Sequence, residues 1–362
     1  MPRHRLHDDP SRGQRQIALE GWTISSTKRP ILSIPEADAA STDLDLALPE
    51  ICFGNNALRI EHDQARFALE WNTLDMLRAV QKGQGWDAAA GSGAVRVAYA
   101  DEWTRAQAAS GSLGNMTVQK PFDWTYTTLH PGSTHTPPSA QPAEWRAAPP
   151  THPGIPLASL ARTDIPILFF DEIPLFEDEL GDNGIANVTV RVRVNRESFF
   201  VLSRFALRID NLLFRYYDVR TYHAFGSGEI IREIKGREAP YELLRNRLRG
   251  PGAAGRSPLP QSTACASPVP SRAGYSAAPS STGLSSLRSG GALNGALPSE
   301  PSEDLTPLTD SNWVAGVLEE LALADEMQHG LNLERTGQQS HASQGWEGKG
   351  RKLEILSLPQ EV

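Results

Sequence analysis

The chain has 362 residues, 35 Lys+Arg against 43 Asp+Glu and a formal net charge of −8, so it has no global electrostatic attraction to nucleic acid or anionic lipid. Gly (30) and Pro (27) are clustered and only 39% of residues are hydrophobic, which fits a globular core with polar inserts better than two full domains. Two cysteines, Cys52 and Cys265, exclude a disulfide framework and point to a reducing compartment, the cytoplasm or nucleus. No apolar run approaches the roughly 18 residues a membrane helix needs, and the first residues lack the apolar core of a signal peptide.

In chain order, residues 1–16 are charged and expected to be disordered, and a folded domain is expected over 17–249. Residues 21–26 read as a strand, and 35–49 as a connector with a short helical turn. Residues 57–62 and 66–71 predict a hairpin, with Phe67, Leu69 and Trp71 on one face. A helix is predicted from 72 to about 81, with Asn72 as N-cap and Asp75 at the third helical position, where a carboxylate suits the helix dipole. Gly83 and Gly85 stop it. Small-residue inserts at 88–94 and 105–115 flank a predicted strand at 95–99. Residues 121–128 read as an aromatic, β-branched strand, 130–153 as a Pro-rich loop, and 157–162 as a helical turn or two.

Residues 169–180 mix Phe169, Phe170, Phe176 and Leu180 with Asp171, Glu172, Glu177, Asp178 and Glu179. A solvated tail would not carry those aromatics, and a buried strand would not carry that charge. The expectation is an anchored segment presenting its acids at a rim. Strict alternation at 188–194 predicts a strand, followed by strands at 198–207, 212–218, 221–223 and 229–235, then a helix at 241–248. Residues 250–308 form a Ser/Pro/Gly-rich linker, expected to be disordered. Trp313, Val314, Val317, Leu318 and Leu321 recur at helical spacing, predicting an amphipathic helix over 309–329 that docks on the core or on a partner. A mobile polar tail is expected over 330–362. These elements sum to an α+β fold: an antiparallel two-layer β core with a few short helices at its ends.

No catalytic signature is present: there is no Gly-x-Ser-x-Gly elbow and no Walker loop. His130 and His135 lack a cysteine pair nearby, which argues against zinc. Residues 178–184 resemble a calcium loop, but Leu180 stands where an oxygen ligand is required. The acidic cluster keeps three readings: a solvated strand edge, a surface for a basic or polar partner, or paired carboxylates of a hydrolase. Asp75 is explained by capping alone. Asp218, beside Arg215 and Arg220, is explained by a cross-strand ion pair.

Several blocks together resemble one family. Leu48-Pro49-Glu50-Ile51-Cys52-Phe53-Gly54-Asn55-Asn56-Ala57-Leu58-Arg59-Ile60 is similar to the "LPEMxFGxNxLxI" block of the TIPRL (Tip-forty-one-like) family. Pro121-Phe122-Asp123-Trp124-Thr125-Tyr126-Thr127-Thr128 resembles its "KPYDWTYTT" block, and Leu175-Phe176-Glu177-Asp178-Glu179-Leu180-Gly181-Asp182-Asn183-Gly184 its "LFEDELxDxG" block. Ser198-Phe199-Phe200, Arg204-Phe205, Leu207-Arg208-Ile209-Asp210 and Asp218-Val219-Arg220 follow in the same order, and the helix after 312 is similar to a segment of fungal-type members.

The resemblance implies a non-catalytic regulator of TOR signalling, monomeric and without metal or cofactor. It would bind the catalytic subunit of type 2A-like protein phosphatases, together with or in competition with the Tap-forty-two/alpha-four adaptor. It implicates Asp75 and Asp218 in that contact. Tyr216 stands where the family has Met, and Ile155 aligns with a family Ile. Glu177, Asp178 and Glu179 are added as acidic partner-binding residues, in a groove expected to be shared with Asp75 and Asp218.

Overall fold

The computed structural model describes residues 4–62, 67–82, 124–137, 143–249, 304–336 and 350–358. Their strands are β1 (Arg5–Asp9), β2 (Gln14–Leu19), β3 (Trp22–Thr27), β4 (Ile51–Cys52), β5 (Ala57–His62), β6 (Phe67–Asn72), β7 (Ser133–His135), β8 (Trp145–Ala147), β9 (Phe169–Asp178), β10 (Gly184–Val194), β11 (Ser198–Ile209), β12 (Leu213–Ala224), β13 (Glu229–Pro240) and β14 (Gly350–Ser357). The helices are α1 (Ile34–Leu44), α2 (Thr73–Lys82), α3 (Leu157–Leu160), α4 (Tyr241–Arg249) and α5 (Ser311–Thr336).

Two antiparallel sheets form the expected two-layer core: a six-stranded sheet in the order β1-β2-β3-β5-β6-β7, and an eight-stranded sheet in the order β4-β9-β10-β11-β12-β13-β14-β8. Side-chain alternation assigns the faces. Val188, Val190, Val192 and Val194 of β10, Phe199, Val201, Phe205 and Leu207 of β11, and Tyr217 and Val219 of β12 point inward to one core shared with Ile24, Leu58, Ile60, Leu69 and Trp71 of the smaller sheet. Trp22 joins the layers, its ring lying 5.8 Å from Phe67, 5.1 Å from Phe199 and 4.6 Å from His223. The outer face of the larger sheet carries Ala206, Phe214 and Tyr216 under α4 and α5, and Tyr222 and Ile231 under Ile155 and Leu160. Helix α5 therefore docks on the core.

Four expectations are corrected. Residues 5–16 are not disordered: β1 pairs with β2 from Arg5↔Ala18 to Asp9↔Gln14. The charged sequence misled because β1 is an edge strand with exposed side chains, held by main-chain bonds that composition does not reveal. Residues 350–357 are not a mobile tail, since β14 pairs with both β13 and β8. Described residues 124–128 are not a strand; Tyr126 adopts φ 53°, and this irregular stretch plugs one end of the core, where Thr128 donates to the Met76 carbonyl and Tyr126 to that of Leu48. Finally, α1 is a full helix, not a turn. Its capping box at Ser33 and Glu36 lies in a stretch read as a connector because of its prolines. The predicted strand at 95–99, both inserts and most of the 250–308 linker lie outside the described residues.

The acidic segment is itself a strand, β9, flanked by β4 and β10. Its register shifts opposite Val188/Thr189, and this bulge changes which residues face inward. Asp171 and Ile173 face inward before it, Phe176 and Asp178 after it. The strand tolerates buried acids because each has partners. Lys28 Nζ lies 2.6 Å and Arg15 Nη1 3.3 Å from Asp171, and Ser26 donates to it. Burial pushes the Asp171 carboxyl up, but the Lys28 and Ser26 hydrogen bonds outweigh it and its pKa is lowered. Asp178 accepts from the backbone N–H groups of Glu50 (3.0 Å) and Leu180 (2.7 Å). Phe169, Phe176 and Leu180 are buried, as expected from their apolar character.

Candidate interaction site

Two separate constellations emerge from the candidate residues. The first surrounds Asp75 at the start of α2. Asn72 caps the helix, its side-chain oxygen accepting from the Asp75 N–H at 2.8 Å. The Asp75 carboxylate accepts from Ser133 Oγ (2.6 Å), Asn72 Nδ2 (3.1 Å) and Arg78 Nη1 (2.8 Å). Ser133 reaches it because Gly132 (φ 94°) passes against Trp71, where a Cβ would meet the indole nitrogen at 2.6 Å; only glycine fits. Burial raises the Asp75 pKa, but the Ser133, Asn72 and Arg78 hydrogen bonds outweigh it and hold it below the ordinary value. The side chain keeps 22% exposure. The result is a fixed, ionised and accessible carboxylate.

His130 Nε2 lies 3.2 Å from Ser133 Oγ, which places Ser, His and Asp together. Ser133 gives its single proton to Asp75, so His130 must donate to the serine and cannot serve as its base. Burial lowers the His130 pKa against the opposing charge of Asp75, which favours the neutral ring. This is a positioning network for a carboxylate, not an activated nucleophile.

The second constellation lies on the outer face of the larger sheet. Cross-strand rows read Thr189–Arg204–Asp218–Lys235 and Arg191–Leu202–Arg220–Glu233. Arg204 grips Asp218 bidentately at 2.7 and 2.8 Å, and Arg220 approaches the same carboxylate at 3.6 Å. The cross-strand ion pair expected for Asp218 thus exists, with Arg204 as its main partner. Burial alone would raise the Asp218 pKa, but the Arg204 charge and hydrogen bonds lower it below its ordinary value. Tyr216 sits beside the pair, with the Arg204 guanidinium 5.2 Å from its ring centre. Burial pushes the Tyr216 hydroxyl pKa well up.

Helix α5 covers this group. Asp310 caps it, accepting from the Asn312 and Trp313 N–H groups. Arg204 Nη1 donates to the Ser311 carbonyl at 3.2 Å. Glu319 reaches Lys235 at 2.9 Å and Arg237 at 3.4 Å. Between helix and sheet remains a cavity of about 430 Å³, bordered by Asp218, Arg220, Lys235 and Arg237 below and by Ala315 and Glu319 above.

The single groove expected for Glu177, Asp178, Glu179, Asp75 and Asp218 does not exist. Asp218 lies on the outer sheet face, whereas α2, which carries Asp75, buries Met76 and Leu77 in the core between the sheets. β9 is three strands from β12, about 14 Å at ordinary strand spacing. Alternation divides the acids further. Glu177 is half-buried on the outer face, in the row Glu177–Asn187–Ala206–Tyr216. Asp178 turns inward to its backbone donors, and Glu179 is exposed in the turn. Ile155, Tyr216 and Asp218 share the outer face but are each only 7% exposed. Lys235, Arg237 and Glu319, which complete the ionic group, were not singled out from sequence. For Lys235 and Arg237 the signal was charge alternating along a strand, which any solvated face also shows, and Glu319 is one of several acids on the predicted C-terminal helix. Among the described residues no cluster of His, Cys, Asp or Glu suits a metal ion, and no helix is long and apolar enough to cross a membrane.

Comparison with known proteins supplies the context for these two sites. The model of the TIP41-like family matches residues 51–245. The chain is 37% identical over 259 residues to the type 2A phosphatase activator TIP41 of Saccharomyces cerevisiae, covering 67% of each chain. It is 34% identical over 231 residues to the human TIP41-like protein, covering 64% of this chain and 79% of that one. A third relative, the type 2A phosphatase activator tip41 of Schizosaccharomyces pombe, is 28% identical over 231 residues, covering 64% and 84%. The match runs from β4 through β13 into α4 and so takes in Asp75 and Asp218 with the strands that hold them; the chain belongs to the TIP41-like family.

Proposed function

We propose that this protein is a non-catalytic regulator that binds the catalytic subunit of type 2A-like serine/threonine phosphatases. Through that contact it modulates TOR-dependent signalling in the cytoplasm and nucleus, joining or competing with the Tap-forty-two/alpha-four adaptor. The observation that carries the reading is the Asp75 carboxylate: ionised, partly open and immobilised by Ser133, Asn72 and Arg78. A side chain fixed before association loses little further entropy when a cationic or N–H donor meets it. The yeast relative, a type 2A phosphatase activator, supplies the partner class.

The hydrolase alternative based on residues 171–179 loses support from the same geometry. Asp171 and Asp178 are occupied by internal donors, and Glu172 points outward to Arg191 at 3.0 Å. These acids do not converge on one pocket.

Asp75→Asn tests the reading. Asn72 still caps α2, and the lost Arg78 pair is partly exposed, so stability should change by less than about 1 kcal/mol. Affinity for the phosphatase catalytic subunit, measured by calorimetry, should fall about tenfold. Unchanged affinity with an intact thermal transition would reduce Asp75 to a capping residue.

Glu177 and Glu179 play a different part, since neither is held by a fixed network. Converting both to Gln should slow association and flatten its dependence on salt, leaving dissociation nearly unchanged. Stopped-flow measurements at two ionic strengths distinguish this outcome from a contact that changes the off-rate.

A further inference from the structure

The outer-face residues Tyr216 and Asp218 are closed to any partner while α5 is in place. We propose that α5 is an intramolecular occupant of the partner surface, and that phosphatase binding and helix docking compete for this one sheet face. The inference rests on the proposed function and adds its regulation.

The attachment of α5 supports a detachable cover. Like every strand-free helix, it contributes no ladder hydrogen bond to the sheet. It is held by Val314, Val317 and Leu318, packed on Ala206, Phe214 and Tyr216, and by Glu319 on Lys235 and Arg237. Where it crosses Asp218 the fit is incomplete. The small residues Ala315 and Gly316 face the cavity of about 430 Å³, while Leu323 is 50% exposed at its border. The space is partly open to solvent, and the helix does not fill it. The helix belongs to neither sheet, so its release need not unpair a strand.

The sheet beneath gives up the Arg204 bond to the Ser311 carbonyl and the Glu319 pairs but keeps its own ion pairs. Asp218 keeps Arg204 and Arg220, and Glu233 keeps Arg220 and Arg351. Removing the helix would open the Tyr216 side of the apolar cluster, where Phe214 stays stacked on Tyr241 of α4, next to a row of charges, with Lys235 and Arg237 freed from Glu319. An apolar centre bordered by charge is the composition of a protein interface. When a competent state is only partly populated, apparent affinity is reduced by that fraction.

The experiment uses the full chain and the purified phosphatase catalytic subunit. Glu319→Lys places a cation against Lys235 and Arg237, and Leu318→Ala removes one apolar anchor. Either should tighten phosphatase binding, by about tenfold if the helix covers the site in nine molecules of ten. Thermal unfolding verifies that the sheet persists. In the unaltered chain, hydrogen exchange of residues 311–324 should accelerate when the phosphatase subunit binds.

Slower exchange there, or affinities unchanged or weakened in both variants, would overturn the inference and leave the proposed function standing. Absence of binding in the unaltered chain and in both variants would overturn both. Binding lost only in Asp75→Asn, with exchange of 311–324 unaffected by the partner, would assign the contact to the α2 side and refute competition for the outer face.

Discussion

Asp218→Ala should destabilise the protein by about 3–5 kcal/mol, because it leaves the Arg204 guanidinium buried without its counter-charge. The pair is bidentate at 2.7 and 2.8 Å, and Arg204 is 9% exposed. Arg204 would retain the Ser311 carbonyl, a neutral acceptor that does not replace a carboxylate. The double replacement Arg204→Met with Asp218→Leu should recover most of the loss, since exchanging both ions for apolar side chains removes the desolvation cost with the pairing. Denaturant titration of the two single variants and the double measures the coupling.

The same pair has a pH signature. The folded-state pKa of Asp218 is lowered from the ordinary carboxylate value of 3.8. Its contribution to stability is therefore fully present above that value and is lost as pH falls below it toward the folded-state pKa. Asp218→Ala should remove this part of the acid-side decline. A decline identical to that of the unaltered protein would mean that other carboxylates, Asp171 among them, account for all of it. The variant also separates two roles. If Asp218 contacts the phosphatase, a conservative Asp218→Asn variant that remains folded should bind more weakly than its stability loss alone predicts.

Trp22→Ala should cost about 3–5 kcal/mol, in the range of large aromatic truncations in cores. Trp22 is 2% exposed and is the contact through which β3 of the smaller sheet meets β11 and β12 of the larger. Its ring packs edge-on against Phe67 and Phe199 and tilted against His223. The cavity opens between two layers joined by packing rather than by hydrogen-bonded strands, and neither sheet can collapse into it without breaking its own register. Melting temperature should fall by on the order of 10 °C. Because Asp75 and the outer-face residues lie away from this contact, phosphatase affinity of the folded variant should stay near normal. A loss of affinity at a temperature where the variant is folded would show that the spacing of the sheets sets the geometry of the interaction site.

Much of this architecture was legible from residue order because strand alternation and capping are local. The valines at 188, 190, 192 and 194 specify one inward face regardless of what they pack against. Asn72 and Asp75 specify a helix start from their own backbone geometry. The stripe at Trp313, Val314, Val317 and Leu318 requires a helix with one covered face. The blocks from Leu48 through Arg220 carried the family resemblance.

What lay beyond the sequence depended on partners distant along the chain. Asp171 can be buried because Ser26, Lys28 and Arg15 come from the other sheet. β1 and β14 exist because neighbouring strands satisfy their backbones, which side-chain composition does not encode. Adjacency in sequence alone places the acids of 171–179 on one surface. Strand alternation and a bulge sent them in different directions, and only the tertiary structure determined which of them meet solvent. The same holds for Asp218: its residue type and spacing indicated an ion pair, but its burial beneath α5 required the return of a helix from about a hundred residues farther along the chain. Local chemistry determined what each segment could become, and long-range packing determined which surfaces remained open to a partner.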